Sequence, residues 1–285
     1  MNLIYWIEMF ETTDSKLAMH LNVDLGIQED DLVFMFSGIF GLGKLEDGLN
    51  TIESAIQKAI PRGTLIVPTF SYSWSNGEEY NENTQCPEMG SFSNYVLQLP
   101  NYIRTRNPNF SVAIRKNNFN RKIVDSLINV GDDCFGKDSI FEKVVNYSQT
   151  KRAWILLLGG AFNDVKYRST FIHYAQQKIG VRHRYVKKFH QPNNSQKYIT
   201  QLVRCLTMDE YLSNSGNEEN IPFNFPIEED YSSYGEDLDR AGLITEKEYG
   251  YYPSRMVSVK ESVEFYIKKL RKDPYYCIQK ESLAP

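Results

Sequence analysis

The chain has 285 residues, 41% of them hydrophobic and 24% charged, a composition that excludes wholesale disorder. Folding at this length hides roughly three-quarters of the unfolded surface, ample for a large core. Lys and Arg number 32 against 36 Asp and Glu, a net charge of −4 that excludes a generic nucleic-acid binder. No apolar run reaches the roughly 18 residues of a membrane-spanning helix, so no membrane partner is expected. The stretch Asn2 to Phe10 is interrupted by Glu8 and lacks the basic start and small-residue cleavage site of a secretory signal.

The elements alternate in type along the chain. Asp31 to Phe36 is a short apolar run that reads as a buried strand. The glycine-rich loop Gly38 to Gly43 follows. Leu45, Leu49, Ile52, Ile56 and Ile60 then recur at helical spacing, and Pro61-Arg62-Gly63 stops that helix. Thr64 to Tyr72 begins as a second buried strand. Phe92 to Leu99 reads as a short helix stopped by Pro100, and Phe110 to Ile114 as a strand. Ser139 to Tyr147 reads as a helix with Ser139 as its N-cap. Trp154 to Gly160 is the strongest buried strand, Thr170 to Ile179 a helix, Tyr198 to Leu206 a strand and Val259 to Leu270 a helix. Ser213 to Ser233 is a polar excursion. The pattern predicts an α/β fold: one domain over residues 1–285, with a mixed, largely parallel sheet covered by helices. Cys86, Cys134, Cys205 and Cys277 lack metal or redox spacing, which points to reduced thiols and a cytoplasmic setting.

Three constellations carry chemistry. The first, Gly38 to Leu45, has the outline of a phosphate-binding loop, but Leu45 stands where a magnesium-binding hydroxyl is required, so an NTPase is not expected. Two readings stay open: amides presented to a phosphate with help from Ser37, or a tight turn that needs glycine. The second is Ser169 to Gln176. A cap at Ser169 or Thr170 puts His173 in the first turn, where the positive helix end favours neutral imidazole. His173 is then either a general base or a satisfied core histidine. The third is a charge contrast. Lys166, Arg168 and the run Arg182 to Lys188 suit an anion or form a solvated face, whereas Glu78, Glu79, Glu82 and Glu88 suit a polycation. His183 and His190 lie among cations, so no metal is expected.

In order and spacing, several segments resemble the aminoglycoside 3-N-acetyltransferases and their sugar N-acyltransferase relatives. They are Ser37 to Gly43, Gly63 to Phe70, Met89 to Phe92, Arg106 to Ala113, Phe135 to Phe141, Leu156 to Gly160 and Thr170 to Ala175. The resemblance implies an acyl-CoA donor and a small-molecule acceptor bearing an amine on a sugar ring, with a homodimer left open. It places His173 on the family's catalytic histidine, a general base for the attacking amine. Thr170 becomes the candidate oxyanion donor. Coenzyme A contacts fall on Ser37, Gly38, Gly41, Gly43, Thr69, Ser111, Val112 and Ser139. Acceptor contacts are assigned to Tyr72, Trp74, Glu88, Asp164, Lys166, Arg168 and Gln176, with Asp164 and Glu88 as candidate acid partners of His173. Antibiotic-modifying members carry an acid three residues after that histidine, where this chain has Gln176. With Lys166 and Arg168, this resembles the branch that acylates nucleotide-linked amino sugars, such as the anthrose-pathway N-acyltransferase. The expected acceptor is therefore a dTDP-linked amino-dideoxy sugar of surface glycan synthesis. The alternative is an aminoglycoside antibiotic, as the acidic loop suggests.

Overall fold

The computed structural model describes residues 10–162, 165–191, 194–215 and 221–284. The longer strands are β1 (Leu32–Ser37), β2 (Thr64–Pro68), β3 (Tyr102–Arg104), β4 (Val112–Arg115), β5 (Ala153–Leu158), β6 (Arg184–Gln191), β7 (Asn194–Arg204), β8 (Ile244–Lys247) and β9 (Ser254–Ser258). Seven of them form one sheet in the order β8-β9-β5-β1-β2-β4-β3. The centre is parallel: β1 pairs in parallel with β2 and with β5. The flanking pairs are antiparallel. Strands β6 and β7 form a separate antiparallel hairpin.

Alternation along each strand sorts the core into two layers. Phe34, Phe36, Ile155 and Leu157 face one side with Phe141, Phe171, Ala175, Val259 and Val263. Val33, Met35, Leu156 and Leu158 face the other with Leu17, Leu21, Ile52 and Ile56. The helices on the first face include α1 (Ile140–Ser148), α2 (Phe171–Ile179) and α3 (Val259–Lys272). Ser139 caps α1 by accepting from the Glu142 amide at 3.1 Å, while the Glu142 carboxylate accepts from the Asp138 amide at 2.7 Å. The first bond satisfies a first-turn donor, and the second ties down the amide just before the cap. Gly180 closes α2 in the left-handed region at φ 72°.

One sequence expectation is corrected. The helix expected from Leu45 begins at Asn50; Lys44–Leu45 is instead a short strand beside Glu11–Thr12. Leu45 and Leu49 still pack against the second core layer, which explains their apolar spacing. The basic run Arg182 to Lys188 leads into strand β6 of the hairpin, where Lys187 and Lys188 are exposed as a solvated face while Arg184 is half-buried. Of the polar excursion, residues 216–220 lie outside the described residues, as do residues 2–9 of the N-terminal stretch. All four cysteines are free and buried, and no helix among the described residues is long and apolar enough to cross a membrane.

The loops after β1 and β5 touch backbone to backbone. A Cβ at Gly41 would sit 2.0 Å from the Gly159 carbonyl oxygen, and one at Gly38 would sit 2.6 Å from it. Backbone cannot swing aside as a side chain can, so the contact admits only glycine. Gly41→Ala is therefore expected to destabilise the fold by about 2–3 kcal/mol, read as a lower melting temperature. An unchanged melting curve would mean that the two loops separate freely.

Candidate active site

A cavity of about 400 Å³ opens beyond the carboxyl ends of the parallel strands. Its lining includes Phe36 at the end of β1, Phe70 after β2, and Phe162 and Arg168 after β5. In open α/β sheets the chain diverges to either side of such a central strand and leaves a crevice there. His173 and Thr170 line the same cavity. The loop from β5 carries the chain to α2, so both residues stand at that helix's start.

His173 is held from behind. Its Nδ1 lies 2.9 Å from Gln176 Oε1, and Gln176 Nε2 donates to Glu229 Oε1 at 2.5 Å. Glu229 Oε1 also accepts from His183 Nε2 at 3.1 Å and from Arg184 Nε at 3.2 Å. Its Oε2 accepts from Arg184 Nη2. A carboxylate only accepts, so the amide nitrogen of Gln176 must face it and the amide oxygen must face the imidazole. His173 Nδ1 therefore carries the proton. Nε2 keeps its lone pair and has no hydrogen-bond partner among the described residues. The Thr170 hydroxyl makes no helix-capping bond and remains available as a donor.

Electrostatics keep this imidazole neutral. Burial, then the Arg184 and Arg168 charges, push the His173 pKa down to about 4, against the opposing pull of Gln176 and Glu229. For Glu229, burial alone would raise the pKa, but Arg184 and His183 hold it well below the usual carboxylate range. Tyr72 faces the cavity with its hydroxyl pushed up to about 12 by burial.

The structure brings together His173, Thr170, Tyr72, Glu88 and Arg168 around the cavity, with Gln176 directly behind His173. Glu88 is exposed and makes no contact with His173, so it is not the acid partner; Asp164 lies outside the described residues. Lys166 is turned away, paired with Glu246 at 3.1 Å and Asp239 at 3.8 Å. Trp74 is buried and lines a second cavity with Arg106, Lys197 and Tyr198. Most positions expected to contact coenzyme A are engaged in the fold. The Gly38, Gly41 and Gly43 amides donate to Leu158, Gly38 and Phe40 carbonyls, which favours the tight turn over a phosphate cradle. Thr69 and Ser111 are fully buried and bonded to each other, with Arg104 clamped across them. Val112 is a core residue of β4, and the Ser139 hydroxyl caps α1. Ser37 is half-buried at the end of β1, beside the cavity-lining Phe36.

Comparison with known proteins decides the family. The family profile described as aminoglycoside 3-N-acetyltransferase matches residues 35–271. The chain belongs to the aminoglycoside 3-N-acetyltransferase family.

Solved structures share its fold. The apoenzyme of aminoglycoside acetyltransferase AAC(3)-IVa superposes with a TM-score of 0.67 at 19% identity, covering 94% of this chain and 92% of that one. The binary complex of AAC-IIIb with CoASH gives 0.67 at 17% identity, covering 92% and 97%. YokD from Bacillus subtilis gives 0.67 at 17% identity, covering 93% and 95%. A search of curated proteins finds no match. Family membership makes the chain an N-acetyltransferase of a CoA-dependent family.

Sequence reasoning missed Glu229, Tyr231 and Arg204 of this site. Glu229 and Tyr231 sit in the segment read as a polar excursion. They are separated from His173 by more than fifty positions, and no local spacing links them.

An imidazole with its pKa pushed down to about 4 sets the direction of any pH response it carries. The reactive neutral form is lost as pH falls through about 4, so the acid limb of kcat/KM attributable to His173 should lie near there and well below the usual histidine value of 6.5. A pH-rate profile checks this; a limb near 6.5 would mean the imidazole is solvated. His173→Asn should keep the fold and lose about 10²–10⁴-fold in rate.

Proposed function

We propose that the protein transfers an acetyl group from acetyl-CoA to an amine of an aminoglycoside, with His173 as the general base. The observation that carries this is the unpartnered Nε2 of a neutral, half-buried imidazole lining a cavity. The acceptor nitrogen bonds to the thioester carbonyl carbon and gives its proton to His173 Nε2. Thr170 donates a hydrogen bond to the oxyanion. The C–S bond then breaks, and the imidazolium returns the proton to the thiolate. An amide and CoASH leave. The aminoglycoside class is supported by the family and by relatives of the same fold: an AAC(3)-IVa variant in complex with apramycin and AAC-VIa with sisomicin bound. The exposed Glu88 at the cavity suits a cationic acceptor.

A second reading has its own support. Arg168, Arg184 and Arg204 all line the cavity. Arg184 is neutralised by Glu229 and Arg204 by Glu228 at 2.6 Å. Arg168 instead lies over the Phe162 ring, with no carboxylate partner among the described residues. A free guanidinium beside the base suits a diphosphate, as in a dTDP-linked amino-dideoxy sugar of surface glycan synthesis.

Thiol release from acetyl-CoA separates the two. A kanamycin-type drug should release CoASH, and a dTDP-4-amino-4,6-dideoxyhexose should not. Release with the sugar nucleotide alone, abolished by Arg168→Gln through a rise of at least about tenfold in its KM, would reverse the assignment.

A further inference from the structure

We infer that Glu229 is a positioning residue that acts on His173 through the side-chain amide of Gln176. It selects the imidazole tautomer without touching the imidazole. The inference rests on the reading of His173 as the base.

The argument begins with the amide. A glutamine side chain can be turned over, which exchanges its donor and acceptor ends. At residue 176 the reversed orientation would place an oxygen 2.5 Å from the Glu229 carboxylate, an acceptor against an acceptor. Glu229 cannot rotate to relieve that clash, because Arg184 grips both of its oxygens and His183 holds one. Its backbone is fixed as well. Glu229 bridges to Ile278, and the adjacent Asp230 amide donates to the Cys277 carbonyl at 2.8 Å. Tyr231 adds a further acceptor for Gln176 Nε2 at 3.3 Å. The amide is therefore locked, and with it the proton on His173 Nδ1.

The relay also separates orientation from charge. A carboxylate in direct contact with an imidazole favours imidazolium and weakens it as a base near neutral pH. Here a neutral amide stands between them. The Glu229 charge is matched by Arg184, which also faces the imidazole. The ring keeps a fixed tautomer and remains unprotonated.

The test combines a mutant cycle with a spectroscopic readout. Gln176→Met keeps the volume and removes the relay; Glu229→Gln keeps the shape and removes the demand for a donor. Each single change should lower kcat about 10–100-fold, less than loss of the base itself, with the acceptor KM unchanged within about twofold. The double variant should be no slower than Gln176→Met alone, since Glu229 then has nothing to act through. Imidazole 15N resonances should show a single Nδ1-protonated tautomer in the wild type and a mixture in Gln176→Met. The resonances do not depend on turnover, so they report on the relay even if His173 is not the base. If Glu229→Gln fails to fold because Arg184 is left unpaired, Gln176→Met carries both readouts. An unchanged tautomer in Gln176→Met, additive losses in the double variant, or a loss confined to acceptor KM would each overturn the inference.

Discussion

The buried carboxylate of Glu229 is the interaction on which the rest of the site depends. Its side chain is 3% exposed. A charge that deep is tolerated only when paired and hydrogen-bonded. Arg184 and His183 supply that pairing from the start of β6 and the turn before it, and Gln176 adds a bond from α2. The C-terminal segment is tied in at Ile278. One carboxylate thus joins the hairpin, helix α2 and the chain end. Removing either partner would leave an uncompensated buried charge, which is why the three elements hold a fixed mutual position.

The sheet gives that arrangement a floor. Parallel pairing of β1 with both β2 and β5 opens a crevice at their carboxyl ends, and the chain fills it with aromatic side chains. Phe36, Phe70, Phe110 and Phe162 line one part of the volume, and polar or charged side chains, among them Glu88, Arg168, His173, Arg184 and Glu229, line the rest. The glycine contact between the loops after β1 and β5 sets how closely those two strand ends approach. Glycine here serves packing, and the amides that a phosphate would need already bond within the turns.

Charge around the cavity is balanced unevenly. Two of the three lining arginines have carboxylate partners, whereas Arg168 rests on an aromatic face, and Glu88 is exposed at the same cavity. Lys166, next but one to Arg168, is drawn to Glu246 beside Arg255 and contributes nothing to the cavity. The chain bends at Val165 and Lys166, so these near neighbours in sequence reach different surroundings.

Local physics made much of the fold legible in the sequence. The runs at Leu32, Thr64 and Ala153 are strands because continuous apolar residues buried on both faces can be little else. Ser139 marks a helix start because the capping chemistry is contained within four residues. The ordered motifs around His173 carried the family. What the sequence left open were relations between distant segments. Leu45 carries a helical period but lies in a strand, because pairing with Glu11–Thr12 overrides spacing. Thr69 and Ser111 look like ligand hydroxyls, yet 42 positions apart they satisfy each other. Glu229, the carboxylate behind Gln176, lies in a polar stretch with no apolar period to announce it. Short-range periodicity and capping are written in neighbouring residues, so the sequence determined them by itself. The site's carboxylate, its tautomer and its charge balance arise from contacts across tens of residues, and only the tertiary structure decided those.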